Sequence, residues 1–104
     1  AILRGGFKVS AGEVASAIER IPGVRRAGVV GRPDERLGEV PVAAVELADP
    51  ALDERTILAA LREELVAYQI PVAVVVVASL PLTATMKVDA VALAAQVAQA
   101  TPPR

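Results

Sequence analysis

The order of apolar and polar positions divides the chain into short, strongly typed segments. "SAGEVASAIERI" opens on Ser10 and carries Glu13 three residues later. That is the spacing of a capping box, in which the serine caps and the glutamate reaches back. Val14, Ala17, Ile18 and Ile21 then recur at helical spacing, and Pro22 and Gly23 end the segment. "VRRAGVVGR" reads as a strand, "PDERLGE" (33–39) as a turn-rich connection, and "VPVAAVEL" as a second strand. So short a connection makes the two strands antiparallel. Asp53 is predicted to cap a second helix with Ile57, Leu58, Leu61 and Leu65 on its buried stripe. After Pro71, "VAVVVVASL" is apolar without alternation, which suits a strand covered on both faces or a central one. Asp89 is predicted to start an alanine-rich final helix, from whose end "TPPR" frays.

With a short strand at "FKV" (7–9), the element order is β-α-β-β-α-β-α. Two helices can pack on one face of a small mixed sheet, so the expected fold is a two-layer α+β domain. At 104 residues a single domain spanning 1–104 is the expectation, and no repeat or linker divides it.

Composition narrows the chemistry. One Phe and one Tyr leave almost no surface for stacking bases, and a net charge of −1 gives no footprint for a polyanion, so nucleic acid is not an expected partner. The chain has no cysteine and no histidine. Thiolate nucleophiles, imidazole-dependent triads and zinc sites built on these ligands are therefore excluded, and no metal ligands are assigned. The longest apolar run, residues 70–78, is about half of the ~20 that a membrane span needs. The absence of cysteine is compatible with an intracellular protein, and a cytoplasmic location is the expectation.

Catalytic candidates shrink to Lys, Arg, Asp, Glu, Ser, Thr and Tyr. Tyr68 reads as half-buried packing near the end of the second helix. Arg25 and Arg26 read as a solvated strand edge, Arg32, Asp34, Glu35 and Arg36 as a charged turn, and Glu63 and Glu64 as an exposed helix face. No two carboxylates have a spacing suited to general acid–base work. Gly5 and Gly6 after Arg4 either make a turn into the first strand or let a backbone approach a ligand closely. Lys87 is a lone cation between Glu64 and Asp89, two residues before a helix cap. The helix dipole disfavours a cation there by about 0.3–1 kcal/mol, so helix stability does not account for it. It is either a solubilising loop lysine or a group with work to do.

Taken together, "GGFKVSAGEV", "PGV" into a strand, "VVGRPDERLGEVPVAAVEL" and "LREELVAYQIPVAVVVVASLPLTATMKVD" resemble the C-terminal subdomain of the adenylate-forming enzymes. That superfamily includes acyl-CoA synthetases, the adenylation domains of nonribosomal peptide synthetases, and luciferases. The likeness runs from about Ile2 to Leu93. It implies a mobile lid over a larger N-terminal adenylation domain that binds ATP with Mg2+ and a carboxylic acid. The lid closes first for acyl-adenylate formation and, after a rotation, for thioester formation on coenzyme A or the phosphopantetheine of an acyl or peptidyl carrier protein. The lysine of the family's T-x-T-G-K-[IV]-D motif falls on Lys87, which the resemblance makes the adenylation lysine. The segment with Gly5, Gly6 and Lys8 falls where the family lines the pantetheine tunnel. The family's hinge lies just before this segment, so the chain is expected to begin just after a hinge, as part of a longer enzyme and inactive alone.

Three departures from the family stand out. Met86 stands where glycine precedes the lysine, Ala15 stands where a second acidic residue is common, and Ala90 and Val91 replace a basic pair. A methionine at φ > 0 would carry a cost of order 1 kcal/mol and could re-aim the loop. These departures define an alternative, a non-catalytic lid that serves as a carrier-protein or partner interaction domain. Setting the resemblance aside, a βαββαβ domain could also be a ferredoxin-like module that binds a small regulatory molecule.

Overall fold

The computed structural model describes residues 1–100. Five strands and three helices follow one another as β1 (Ile2–Arg4), β2 (Phe7–Val9), α1 (Ala11–Glu19), β3 (Val24–Asp34), β4 (Gly38–Leu47), α2 (Glu54–Arg62), β5 (Ala73–Val76) and α3 (Ala90–Ala100). The predicted α+β order is present with one strand added. β1 forms a hairpin with β2, Ile2 opposite Val9 and Arg4 opposite Phe7. Three residues with no clear alternation gave β1 no signature in the sequence. The fraying expected for "TPPR" lies outside the described residues.

β3 and β4 are the backbone of the sheet, antiparallel from Val24 opposite Leu47 to Asp34 opposite Gly38. The connection is tighter than residues 33–39, because β3 runs on through Asp34. The Asp34 carboxylate closes the turn by accepting the backbone N–H groups of Arg36 and Leu37, each at 2.9 Å. β4 meets β3 on one edge, and β1 and then β5 on the other, with β5 parallel to it. The expectation for "VAVVVVASL" is thus half met. Val74 enters one core and Ala73 and Val75 pack on the other, so both faces are covered. The strand itself is four residues at the rim, and the central strand is β4, buried continuously from Val40 to Glu46.

Period-two alternation along β3 and β4 sorts their side chains to two cores. Ala27, Val29, Ala43 and Val45 face Val14, Ala17 and Ile18 of α1 and Ile57 and Leu61 of α2. Val30, Val42 and Ala44 face the other way, onto Leu80 and onto Leu93 and Val97 of α3. α1 and α2 form the expected layer on one face, and α3 adds a layer on the opposite face. Both cap side chains bond as expected, but the return bond from the Ser10 N–H to the Glu13 carboxylate that a full capping box needs is absent among the described residues. Ser10 Oγ accepts the Glu13 N–H at 3.2 Å, and the Asp53 carboxylate accepts the Thr56 N–H at 2.8 Å. No helix among the described residues is long and apolar enough to cross a membrane.

Hydrogen bonding from the backbone N–H of Thr56, then from its hydroxyl, holds the Asp53 carboxyl below the ordinary aspartate range. The N–H groups of Leu37 and then Arg36 do the same for Asp34. A carboxyl lowered on folding stabilises the fold above its unfolded pKa, and that stabilisation is lost as pH falls through the lowered folded value. Acid unfolding monitored by circular dichroism should therefore have a component below about pH 4. Asp53→Asn, which still caps, should remove its share of that component and leave neutral-pH stability nearly unchanged.

Candidate functional site

Lys87 stands on a built loop. β5 leads to Leu80, which is buried, and the Leu80 N–H donates to the Glu46 carboxylate at 2.7 Å. Glu46 is itself buried on the α3 face of β4, with the Arg26 guanidinium 3.9 Å away. Arg26 is thus more than the solvated edge residue expected from sequence. Leu82 and Val88 pair as an antiparallel bridge, and the Asp89 N–H donates to the Pro81 carbonyl at 2.8 Å. Within that neck, the Met86 N–H donates to the Thr83 carbonyl at 2.9 Å and the Thr83 N–H donates to the Lys87 carbonyl at 2.7 Å.

The loop is seated on β3 through one glycine. A Cβ at Gly28 would lie 2.6 Å from Leu93 Cδ2 and 3.0 Å from Val88 Cγ1. The missing side chain is what lets α3 and the base of the loop reach the sheet. A glycine inside a strand is a recognisable mark of such close approach, and it was the signal available for this contact.

Met86 has φ +64, the one non-glycine residue with positive φ among the described residues. The methionine takes the backbone conformation that glycine favours, and the loop accepts it. Its side chain is 69% exposed. Lys87 is exposed, and its ammonium has no hydrogen bond or ion pair among the described residues. Asp89, the nearest acid in sequence, is engaged instead in capping α3, its carboxylate accepting the Ala92 N–H at 3.1 Å. The lysine is therefore a free cation on an ordered support.

Gly5 and Gly6 form the β1–β2 turn with φ +55 and +90, both positive as a two-residue hairpin turn of type I′ requires. The two glycines thus make the expected turn into β2. Gly5 also lies against Leu37, whose Cδ2 would be 3.0 Å from an added Cβ, whereas Gly6 faces open space. Lys8 is exposed on β2. The hairpin is tied down at its root. The Arg4 guanidinium donates to the Tyr68 and Ile70 carbonyls at 3.2 and 2.8 Å, and the Phe7 and Tyr68 rings stack with centroids 4.5 Å apart. Tyr68 is half-buried packing as expected, but on a single 3₁₀ turn after α2 rather than on the helix.

The two candidate sites are separate. The Lys87 loop is anchored at Gly28, while Gly5 is bonded to Leu37 in the β3–β4 turn. Gly28 and Asp34 are six residues apart along β3, about 20 Å. An open cleft of about 650 Å3 lies between the start of α1 and α3, and none of Gly5, Gly6, Lys8 and Lys87 lines it. Its two polar side chains are already engaged, Ser10 as a cap and Glu39 in accepting the Leu3 N–H at 3.1 Å. No group of three or more acidic, His or Cys side chains that could hold a metal ion occurs among the described residues.

A family model described as the AMP-binding enzyme C-terminal domain matches residues 13–87. Isonitrile lipopeptide synthase of Mycobacterium tuberculosis is 40% identical over 92 residues, which is 86% of this chain and 4% of that protein. The salicylyl-CoA synthase / salicylate adenylyltransferase of a Streptomyces species is 44% identical over 91 residues, 85% of this chain and 16% of the relative. Among solved structures, a fatty acyl CoA synthetase of Mycobacterium tuberculosis superposes with a TM-score of 0.89 at 31% identity. That alignment covers 97% of this chain and 20% of the synthetase. The chain thus spans a fifth or less of each of these proteins.

Proposed function

The chain belongs to the AMP-binding enzyme C-terminal domain family, and on that premise we propose that it is the mobile lid of an ATP-dependent carboxylate-activating ligase. Lys87 is its adenylation lysine. The observation that carries this reading is the free, exposed ammonium at the end of a loop held by its own hydrogen bonds and seated on the sheet at Gly28. A cation placed so has no partner among the described residues, and its partner is the reacting pair in a second domain.

The step itself is a displacement at phosphorus. A carboxylate oxygen attacks the α-phosphorus of ATP, the bond to pyrophosphate breaks, and acyl-AMP forms. Negative charge accumulates on the equatorial oxygens as phosphorus becomes pentavalent. A compact ammonium set between the carboxylate and the α-phosphate stabilises that charge, and an interaction stronger in the transition state than in the ground state accelerates the step. Mg2+ neutralises the polyphosphate when bound. In this reading Mg2+ is held with ATP by the large domain.

The Gly5–Gly6 turn serves the second half-reaction. Gly6 faces open space, and its lack of a side chain leaves room for a pantetheine arm, with Lys8 next to it on β2. The acceptor is coenzyme A or a carrier-bound phosphopantetheine, and relatives of both kinds, a CoA synthase and a lipopeptide synthase, occur among the matches. ATP–pyrophosphate exchange by the full-length polypeptide, with and without Lys87, tests the reading.

Met86 decides between this reading and a non-catalytic interaction domain. Met86 holds positive φ with its methionine in place, and that conformation favours the first reading. Met86→Gly should raise thermal stability by no more than about 1 kcal/mol, because relief of αL strain is offset by the greater entropy of an unfolded glycine. Exchange activity should stay within about threefold of the parent, under 1 kcal/mol of barrier. A gain of tenfold or more would instead favour a lid that has lost adenylation.

A further inference from the structure

The stem of Lys87 is long and flexible, and its ammonium is unpartnered among the described residues. Any order that the fold gives this lysine must come through its main chain. Both polar main-chain groups of Lys87 go to one residue. Its carbonyl accepts the Thr83 N–H at 2.7 Å, and its N–H donates to Thr83 Oγ1 at 3.3 Å. The Thr83 carbonyl meanwhile accepts the N–H of Met86, the residue held at φ +64. Having accepted from Lys87, the Thr83 hydroxyl still has its own proton to donate, and Thr85 Oγ1 lies 3.0 Å away to receive it. The hydroxyl of Thr83 is the side-chain component of this pin.

We propose that Thr83 is the positioning residue for Lys87. Its hydroxyl keeps the lysine's main chain and the αL Met86 in one arrangement, so that the stem leaves the loop in one direction. The proposal rests on the reading of Lys87 as the adenylation lysine and adds to it the group that aims it. Without the hydroxyl, the Lys87 N–H turns to water, and the turn through Met86 is left to the two main-chain bonds of Thr83. The Cα–Cβ bond of Lys87 then swings, and a small misplacement of a reacting group is costly in rate. Stability should be nearly untouched, because Thr83, Thr85, Met86 and Lys87 are all exposed and outside both cores.

The test is ATP–pyrophosphate exchange in the full-length polypeptide with Thr83→Val, Thr83→Ser, Lys87→Ala, and Thr83→Val combined with Lys87→Ala. Thr83→Val should lower kcat about tenfold with KM for ATP and acid nearly unchanged, and Thr83→Ser should restore most of it. The double variant should be no slower than Lys87→Ala, since there is then no ammonium to aim. A Thr83→Val enzyme within about twofold of the parent overturns the proposal, as does a double variant in which the two losses multiply. If Lys87→Ala itself loses less than about tenfold, the adenylation reading fails instead. Amide hydrogen exchange then still decides the structural half on the 104-residue chain, whose two cores are built from its own residues. Exchange of the Lys87 amide should speed up about tenfold in Thr83→Val and recover in Thr83→Ser. A Lys87 amide already unprotected in the parent overturns the pin.

Discussion

Gly28→Val should destabilise the chain by about 1–3 kcal/mol and loosen the Lys87 loop, although glycine-to-valine is a favourable change for a strand. The new Cβ alone would stand 2.6 Å from Leu93 Cδ2 and 3.0 Å from Val88 Cγ1, and Leu93 is fully buried. To make room, Leu93 must repack inside the core and Val88 must shift at the base of the loop. For a domain of this length the expected fall in melting temperature is roughly 5–15 °C. Gly12→Ala is the control, because the nearest atom to its added Cβ is Ser10 Oγ at 4.0 Å, and it should be neutral or stabilising. Thermal unfolding of the two variants, read beside the amide protection of residues 82–88, measures both effects. If Gly28→Val melts with the parent, Gly28 is not the seat of the loop.

That contact illustrates where the sequence was legible and where it was not. α1 and α2 could be read because each carries a cap side chain and an apolar stripe, and Ser10 and Asp53 both accept the N–H three residues on. The antiparallel pair β3–β4 followed from two apolar runs around a polar turn. β1 could not be read, because three residues acquire strand character only by pairing with β2. Assigning α3 to the opposite face required knowing that the even residues of β3 and β4 carry a second core, Val30, Val42 and Ala44. "VAVVVVASL" left the strand's place in the sheet open, because lack of alternation reports that both faces are covered, and not whether a strand is central. At the site, the isolation of Lys87 was visible as charge spacing. The roles of Thr83 and Glu46 were not, because each acts on a backbone N–H, of Lys87 and Leu80 respectively, and backbone partners leave no residue-type signal.

Lys87→Ala carries the largest expected effect on function. The substitution removes a cation that meets charge as it develops, and loss of one such donor lowers kcat about 10²–10³-fold. Substrate affinity should change far less, because the proposed reading leaves the binding of ATP and the acid mainly to a separate large domain. Fold stability should not change, since the Lys87 side chain is exposed and unpartnered among the described residues. Lys87→Arg should recover little, because a planar fork does not replace a compact point charge on a flexible stem.

The central claim is that this domain supplies the lysine of acyl-adenylate formation. Its most direct test is the rate of ATP–pyrophosphate exchange, at saturating ATP and acid, by the full-length polypeptide with Lys87→Ala. A fall of about a hundredfold or more, with an unchanged melting temperature, is the predicted result. Exchange within about tenfold of the parent, under ~1.4 kcal/mol of transition-state stabilisation, would contradict it.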